Sequence, residues 1–151
     1  MFVPIIVGSD KTTVSVGTGD NEFWPVYGSI GNLHNNVRRS HGMGLVLIGF
    51  LSIPKGDSLL FTKHYDNILT TSFAADKAHS SDPVFRRFRR QLFHLSLSKI
   101  FERLRPGMET PEIAQCPDGH FRQIIWGFGP YIGDYPEQVL LACIVQGWCP
   151  R

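Results

Sequence analysis

Residues 82–104 read DPVFRRFRRQLFHLSLSKIFERL, and the fold turns on them. Asp82 followed by Pro83 marks a helix start, because the carboxylate accepts from free backbone N–H groups and a proline at the first helical position needs no donor. Phe85, Phe88, Leu92 and Leu95 recur at three- and four-residue steps. Phe93, Leu97, Ile100 and Leu104 continue the apolar stripe to Pro106-Gly107, where the helix is expected to end. Arg86, Arg87, Arg89 and Arg90 fall largely between those positions. A helix of this length is the right crossover to carry the chain from one strand to another lying parallel to it.

Upstream, Val3 to Gly8 is a short apolar run with β-branched residues, ended by Gly8-Ser9-Asp10, and reads as a buried strand. Thr12 to Val16 is β-prone, Gly17, Gly19 and Asp20 supply a turn, Trp24 to Leu33 favours a second strand and Leu45 to Ile53 a third. Pro54-Lys55-Gly56 stops the sheet. Residues 57–81 hold no clean period and many small polar side chains, so a loop or insertion is expected across 56–81. Downstream, a loop contains Pro111 and Cys116-Pro117-Asp118-Gly119, Phe121 to Phe128 reads as a fourth strand, and Asp134 opens a last helix through Gln146.

The expected α/β order is therefore an antiparallel three-strand meander, a long crossover helix, a fourth strand parallel to the first, and a helix. In open sheets the chemistry gathers at the carboxyl ends of adjacent parallel strands. Asp10 after the first strand and Asp134 after the fourth are thus the candidate catalytic pair, although 124 residues separate them. This is the layout of a ribonuclease-H-like (RNase H-like) mixed sheet.

Size and composition fit one domain spanning 1–151: 151 residues, 42% hydrophobic and 19% charged, ordinary for a globular protein and far from disorder. The net charge of +2 neither demands nor excludes a nucleic-acid partner. Distribution says more: the four helix arginines, with Arg38 and Arg39 upstream and Lys99, Arg103 and Arg105 downstream, form a candidate basic strip for phosphates. Three widely spaced cysteines, Cys116, Cys143 and Cys149, make a poor disulfide framework and suit a reducing compartment. MFVPIIVGSD lacks a basic leader and no stretch is long enough to span a bilayer, so an intracellular, soluble protein without a membrane partner is expected.

Longer strings carry a resemblance. VGSDKTTVSVGTG (7–19), YGSIGNLHNNVRRSH (27–41), FLSIPK (50–55), FRRFRRQLFHLSLSKIFERL (85–104), CPDGH (116–120) and GPYIGDYPEQVLLACIVQGWCP (129–150) resemble the transposase of Plavaka elements, fungal DNA transposons related to the CACTA superfamily. The match spans nearly the whole chain except from Gly56 to about Ala78. Within that gap, GDSLLFTKHYDNILTTSFAA (56–75) looks foreign to the family's spacing and reads as an intron carried through. The resemblance implies a DDE transposase, an RNase H-like catalytic domain whose three acids hold divalent metal, Mg²⁺ or Mn²⁺, and cut and join DNA phosphodiesters. It further implies a nuclear protein whose partners are transposon ends and target DNA. Asp10 in GSDKT corresponds to the first acid and metal ligand, and Asp134 in GDYPEQ to the second. The third, a Glu, is expected beyond Arg151, so against the family's pattern this chain is expected to be a piece of the catalytic domain, inactive alone, its RNase H-like sheet incomplete and with unpaired backbone groups where a last strand is missing.

Plainer readings stand beside these. An Asp among Gly8, Ser9 and Lys11 often only caps a turn. Asp134 with Glu137 three residues on is a capping-box pattern, and Pro136 suits a first helical turn. Asp118-Gly119 is a common turn dipeptide. The helix arginines either contact DNA or solvate an outer helix face, and a non-catalytic relic binding DNA through them is the alternative to the enzyme. Cys149-Pro150-Arg151 stops one residue short of a Cys-x-x-Cys pair, which the resemblance implies as a zinc-binding or structural knuckle; no zinc is assigned to this chain. Cys116 and Cys143 read as buried small residues, His94 and His120 as structural histidines, and Trp24, Trp126 and Trp148 as core.

Overall fold

A computed structural model of the chain describes residues 1–14, 22–39, 44–54, 82–145 and 147. The expected loop at 56–81, the turn at Gly17 to Asp20, the helix end at Gln146, and Trp148 and Cys149 lie outside the described residues. The elements run β1 (Phe2–Ser9), β2 (Thr12–Thr13), β3 (Glu22–Phe23), β4 (Pro25–Ile30), α1 (Asn35–Arg39), β5 (Val46–Phe50), α2 (Pro83–Phe101), α3 (Arg105–Glu109), β6 (Glu112–Gln115), β7 (Phe121–Ile132) and α4 (Tyr135–Leu141). Five strands form one mixed sheet in the order β5-β4-β1-β7-β6, and β2 and β3 pair separately.

β1, β4 and β5 form the expected antiparallel meander, and β7 lies parallel to β1. Alternation explains why the sheet packs as it does. Val3, Val7 and Ser9 are buried at even spacing along β1, and Val7 joins Val26, Trp24 and Leu51 in the core on which α2 packs. Phe93 of α2 enters that core, its ring centroid 5.4 Å from that of Trp24, with Leu97, Ile100 and Phe101 packed around it. The helix begins as expected: Asp82 caps it, accepting from the Val84 backbone N–H at 2.9 Å.

Four local expectations are corrected. The long helix ends at Phe101, not at Pro106-Gly107. A proline at 106 removes the bond to the carbonyl of residue 102 and collides with it, so the chain turns first and Pro106 then sits in the opening turn of the separate α3. The stretch 112–115, expected as loop, is β6; its four residues are too few and too polar to announce a strand, and it exists as the partner of Phe121–Ile124. It stands at one side of the sheet, beside β7. β7 runs past Phe128 to Ile132, because Gly129 and Pro130 are absorbed in a bulge where two residues oppose Ile6 of β1, a place that tolerates a missing donor. Finally, α4 stops at Leu141. Cys143 takes φ 56°, and the Cys143 and Ile144 N–H groups bond back to the Leu140 and Val139 carbonyls, a helix stop of the kind usually built on glycine. The short α1 was not expected at all.

Asp118-Gly119 is the hairpin turn between β6 and β7, with Gly119 at φ 82°. The Arg122 guanidinium forks onto Asp118 at 2.8 and 2.5 Å and the His120 backbone N–H adds a third bond, together holding the carboxyl down at about 2. A depressed folded value lends stability that is complete above the unfolded carboxyl's range and is lost as pH falls through about 2. The expected result, read from the Asp118 carboxyl shift in an NMR titration, is a midpoint near 2 that rises toward the ordinary value in Arg122→Ala.

Candidate functional site

The parallel register of β1 and β7 builds the site. Gly8 is paired with Ile132, so Asp10 and Asp134 each follow two residues beyond the same rung of the ladder, at the carboxyl ends of neighbouring strands. Both carboxylates are exposed. Asp134 occupies the N-cap position of α4 through its backbone, yet its side chain makes no capping hydrogen bond. Among the described residues no side chain engages the Asp10 carboxylate either.

Glu137 does not serve as the capping-box partner. It is buried, with one carboxylate oxygen accepting from Ser9 Oγ at 2.5 Å and the other from Trp24 Nε1 at 2.7 Å. Ser9 Oγ is also hydrogen-bonded to the Tyr131 hydroxyl. Burial, more than any neighbour, pushes the Tyr131 phenol above its ordinary value. Sequence reasoning missed this network because Asp134-x-x-Glu137 has the spacing of a cap, and only the tertiary position of Ser9 and Trp24 turns Glu137 inward.

A cavity of about 580 Å³ opens beside these groups, lined by Asp134, Lys11, Trp24, Arg86, Arg89 and Arg90 among others. The helix period explains why the arginines reach it. Arg86, Arg89 and Arg90 precede Phe93 and Leu97 at three- and four-residue steps, so the face that packs on the sheet continues beyond it as a cationic wall. Arg87 is exposed and outside the cavity lining. Lys11 is paired with Glu22 at 2.7 Å.

Other expected residues separate from the site. Arg38 is a tie within the β4–α1 region, donating to Ser29, Asn35, Ile30 and Leu33, which removes it from the basic strip. Lys99 and Arg105 pair with Glu102 and Glu109 on the outer surface. Cys143 is exposed rather than buried and lies 3.3 Å from His94 Nε2, because its left-handed backbone turns it out at the helix stop. Trp24 is core, whereas Trp126 is half-buried and hydrogen-bonded to Glu112. Among the described residues no group of three or more His, Cys, Asp and Glu side chains is placed to hold a metal ion, and no described helix is long and apolar enough to cross a membrane.

Two exposed aspartates thus follow the carboxyl ends of adjacent parallel strands in a mixed α/β protein, and Asp134 shares a cavity with Arg86, Arg89 and Arg90. The Plavaka transposase family model matches residues 1–151, and the chain belongs to that family. No curated protein and no solved structure matches it. Membership carries a transposase-related function, DNA as partner and a divalent metal as the implied cofactor.

Proposed function

We propose that residues 1–151 are part of the RNase H-like catalytic domain of a DDE transposase, acting on transposon ends and target DNA in the nucleus, with Asp10 and Asp134 as two of its acids. The observation that carries this reading is the Gly8–Ile132 rung, which sets both aspartates at one edge of the sheet. The donor set suits the implied metal: Mg²⁺ takes one or two carboxylates, keeps several waters and completes its shell with substrate phosphate, so two exposed carboxylates at neighbouring strand ends are adequate ligands. When bound, the metal supplies an activated oxygen nucleophile and stabilises the leaving oxygen of a phosphodiester. Arg86, Arg89 and Arg90 would hold the DNA backbone across the cavity, their planar forks giving paired hydrogen bonds to phosphate oxygens. Arg87 would contribute only long-range attraction from the outer face.

Mn²⁺ titration followed by electron paramagnetic resonance tests the acids. The expected result is binding by the intact chain and a loss of tenfold or more in affinity, about the scale of a lost ligand's support, in Asp10→Asn and in Asp134→Asn. Wild-type affinity in both variants would sink the reading and leave a protein that binds DNA through α2 without chemistry of its own.

A further inference from the structure

We propose that Glu137 is the positioning residue of this acid pair: its buried carboxylate clamps the end of β1 to the start of α4 and so sets Asp10 against Asp134. The inference rests on the two-aspartate reading above and deepens it.

The clamp brackets both acids in the chain. Ser9, which donates to Glu137 at 2.5 Å, directly precedes Asp10. Glu137 lies in the first turn of the helix that Asp134 opens. Tyr131, the partner of Ser9, lies just ahead of Asp134 near the end of β7. Trp24 fixes the second carboxylate oxygen from the segment leading into β4. Since the single Ser9 proton is given to Glu137, Tyr131 must donate to Ser9, and the direction of the whole chain of bonds is determined. Gly133 belongs to the same device: a Cβ there would come within 2.5 Å of Glu137 Oε2, so the link from β7 to Asp134 passes tightly over the carboxylate.

Glu137 is 6% exposed and both its oxygens already accept hydrogen bonds, which suits a strut better than a metal ligand. An apolar residue would fill this space without the cost of burying a carboxylate. What it would not supply is a fixed distance and angle between the two strand ends, which ligand carboxylates need from the groups behind them.

The test uses the full chain, Mn²⁺ affinity and the Trp24 indole N–H resonance. In Glu137→Ala the indole proton should shift and lose protection, and Mn²⁺ affinity should fall about tenfold or more while circular dichroism stays native. Glu137→Gln keeps an acceptor for Trp24 and a donor for Ser9, with the Ser9 proton turned to Tyr131, so it should restore most of the affinity. A folded Glu137→Ala with wild-type affinity overturns the proposal, and so does a Glu137→Gln as weak as the alanine variant, which would mean charge or ligation rather than positioning. If Glu137→Ala fails to fold, Ser9→Ala carries the test: it removes the bond from Ser9 to Glu137 and the one from Tyr131 to Ser9, and unchanged affinity overturns the proposal. A wild-type chain that binds no Mn²⁺ fails at the aspartates, and the role of Glu137 falls with them.

Discussion

Phe93→Ala is expected to lower the unfolding free energy by about 3–5 kcal/mol, the usual loss for deleting a fully buried aromatic ring. Phe93 is 2% exposed, and its removal leaves a void among Val7, Val26, Leu51 and Trp24 that the strands cannot close without breaking their register. A domain of this size has roughly 5–15 kcal/mol to lose, so the variant should sit near the limit of folding. Urea titration should show the midpoint falling with little change in slope. Leu95→Ala is the control: Leu95 belongs to the same apolar-looking helix but is 67% exposed, and its loss should cost no more than about 0.5 kcal/mol. The contrast tests more than packing. Arg86 and Arg90 share a face with Phe93 and Leu97, so equal effects at 93 and 95 would rotate α2 and take the arginines away from Asp134.

That helix shows where the sequence is readable and where it stops being so. Its start at Asp82-Pro83 follows from local chemistry, and so does the alternation that buries Val3, Val7 and Ser9 along β1. The meander and the parallel return of β7 follow from the order of elements, since a long helix between strands leaves few other connections. The side of α2 that faces inward is less legible, because Phe88, Leu92 and Leu95 make as good a stripe as Phe93, Leu97 and Ile100. β6 has no signal of its own and exists because β7 pairs with it. The alternation that marks the fourth strand carries no further than Phe128, and β7 continues to Ile132 only through a bulge at Gly129-Pro130 opposite Ile6. Glu137 is the sharpest case. Its spacing from Asp134 obeys the rule for an exposed cap, and the rule yields to Ser9 and Trp24, more than 100 residues away in the chain.

Arg86→Ala/Arg89→Ala/Arg90→Ala is expected to weaken duplex DNA binding chiefly by removing its salt dependence. Each phosphate neutralised contributes about −0.9 to the slope of log K against log salt, so losing three contacts should flatten the slope by about 3. Between 50 and 200 mM salt the variant should therefore lose roughly 40-fold less affinity than the intact chain does. Fluorescence anisotropy with a labelled duplex, in chelator so that metal plays no part, measures it directly. Arg38→Ala should leave the slope alone and reduce stability, because that guanidinium is spent on Ser29, Asn35 and two backbone carbonyls. Asp134→Asn separates the two halves of the site. Without metal the carboxylate repels the phosphates that the arginines attract, so neutralising it should leave DNA affinity equal or higher while Mn²⁺ affinity falls. An unchanged slope in the triple variant would mean the cationic wall does not carry the DNA. A fall in metal-free DNA affinity on Asp134→Asn would mean that the acid organises the wall rather than opposing the DNA, and the cavity would then be a single structural unit instead of a binding surface joined to a reactive edge.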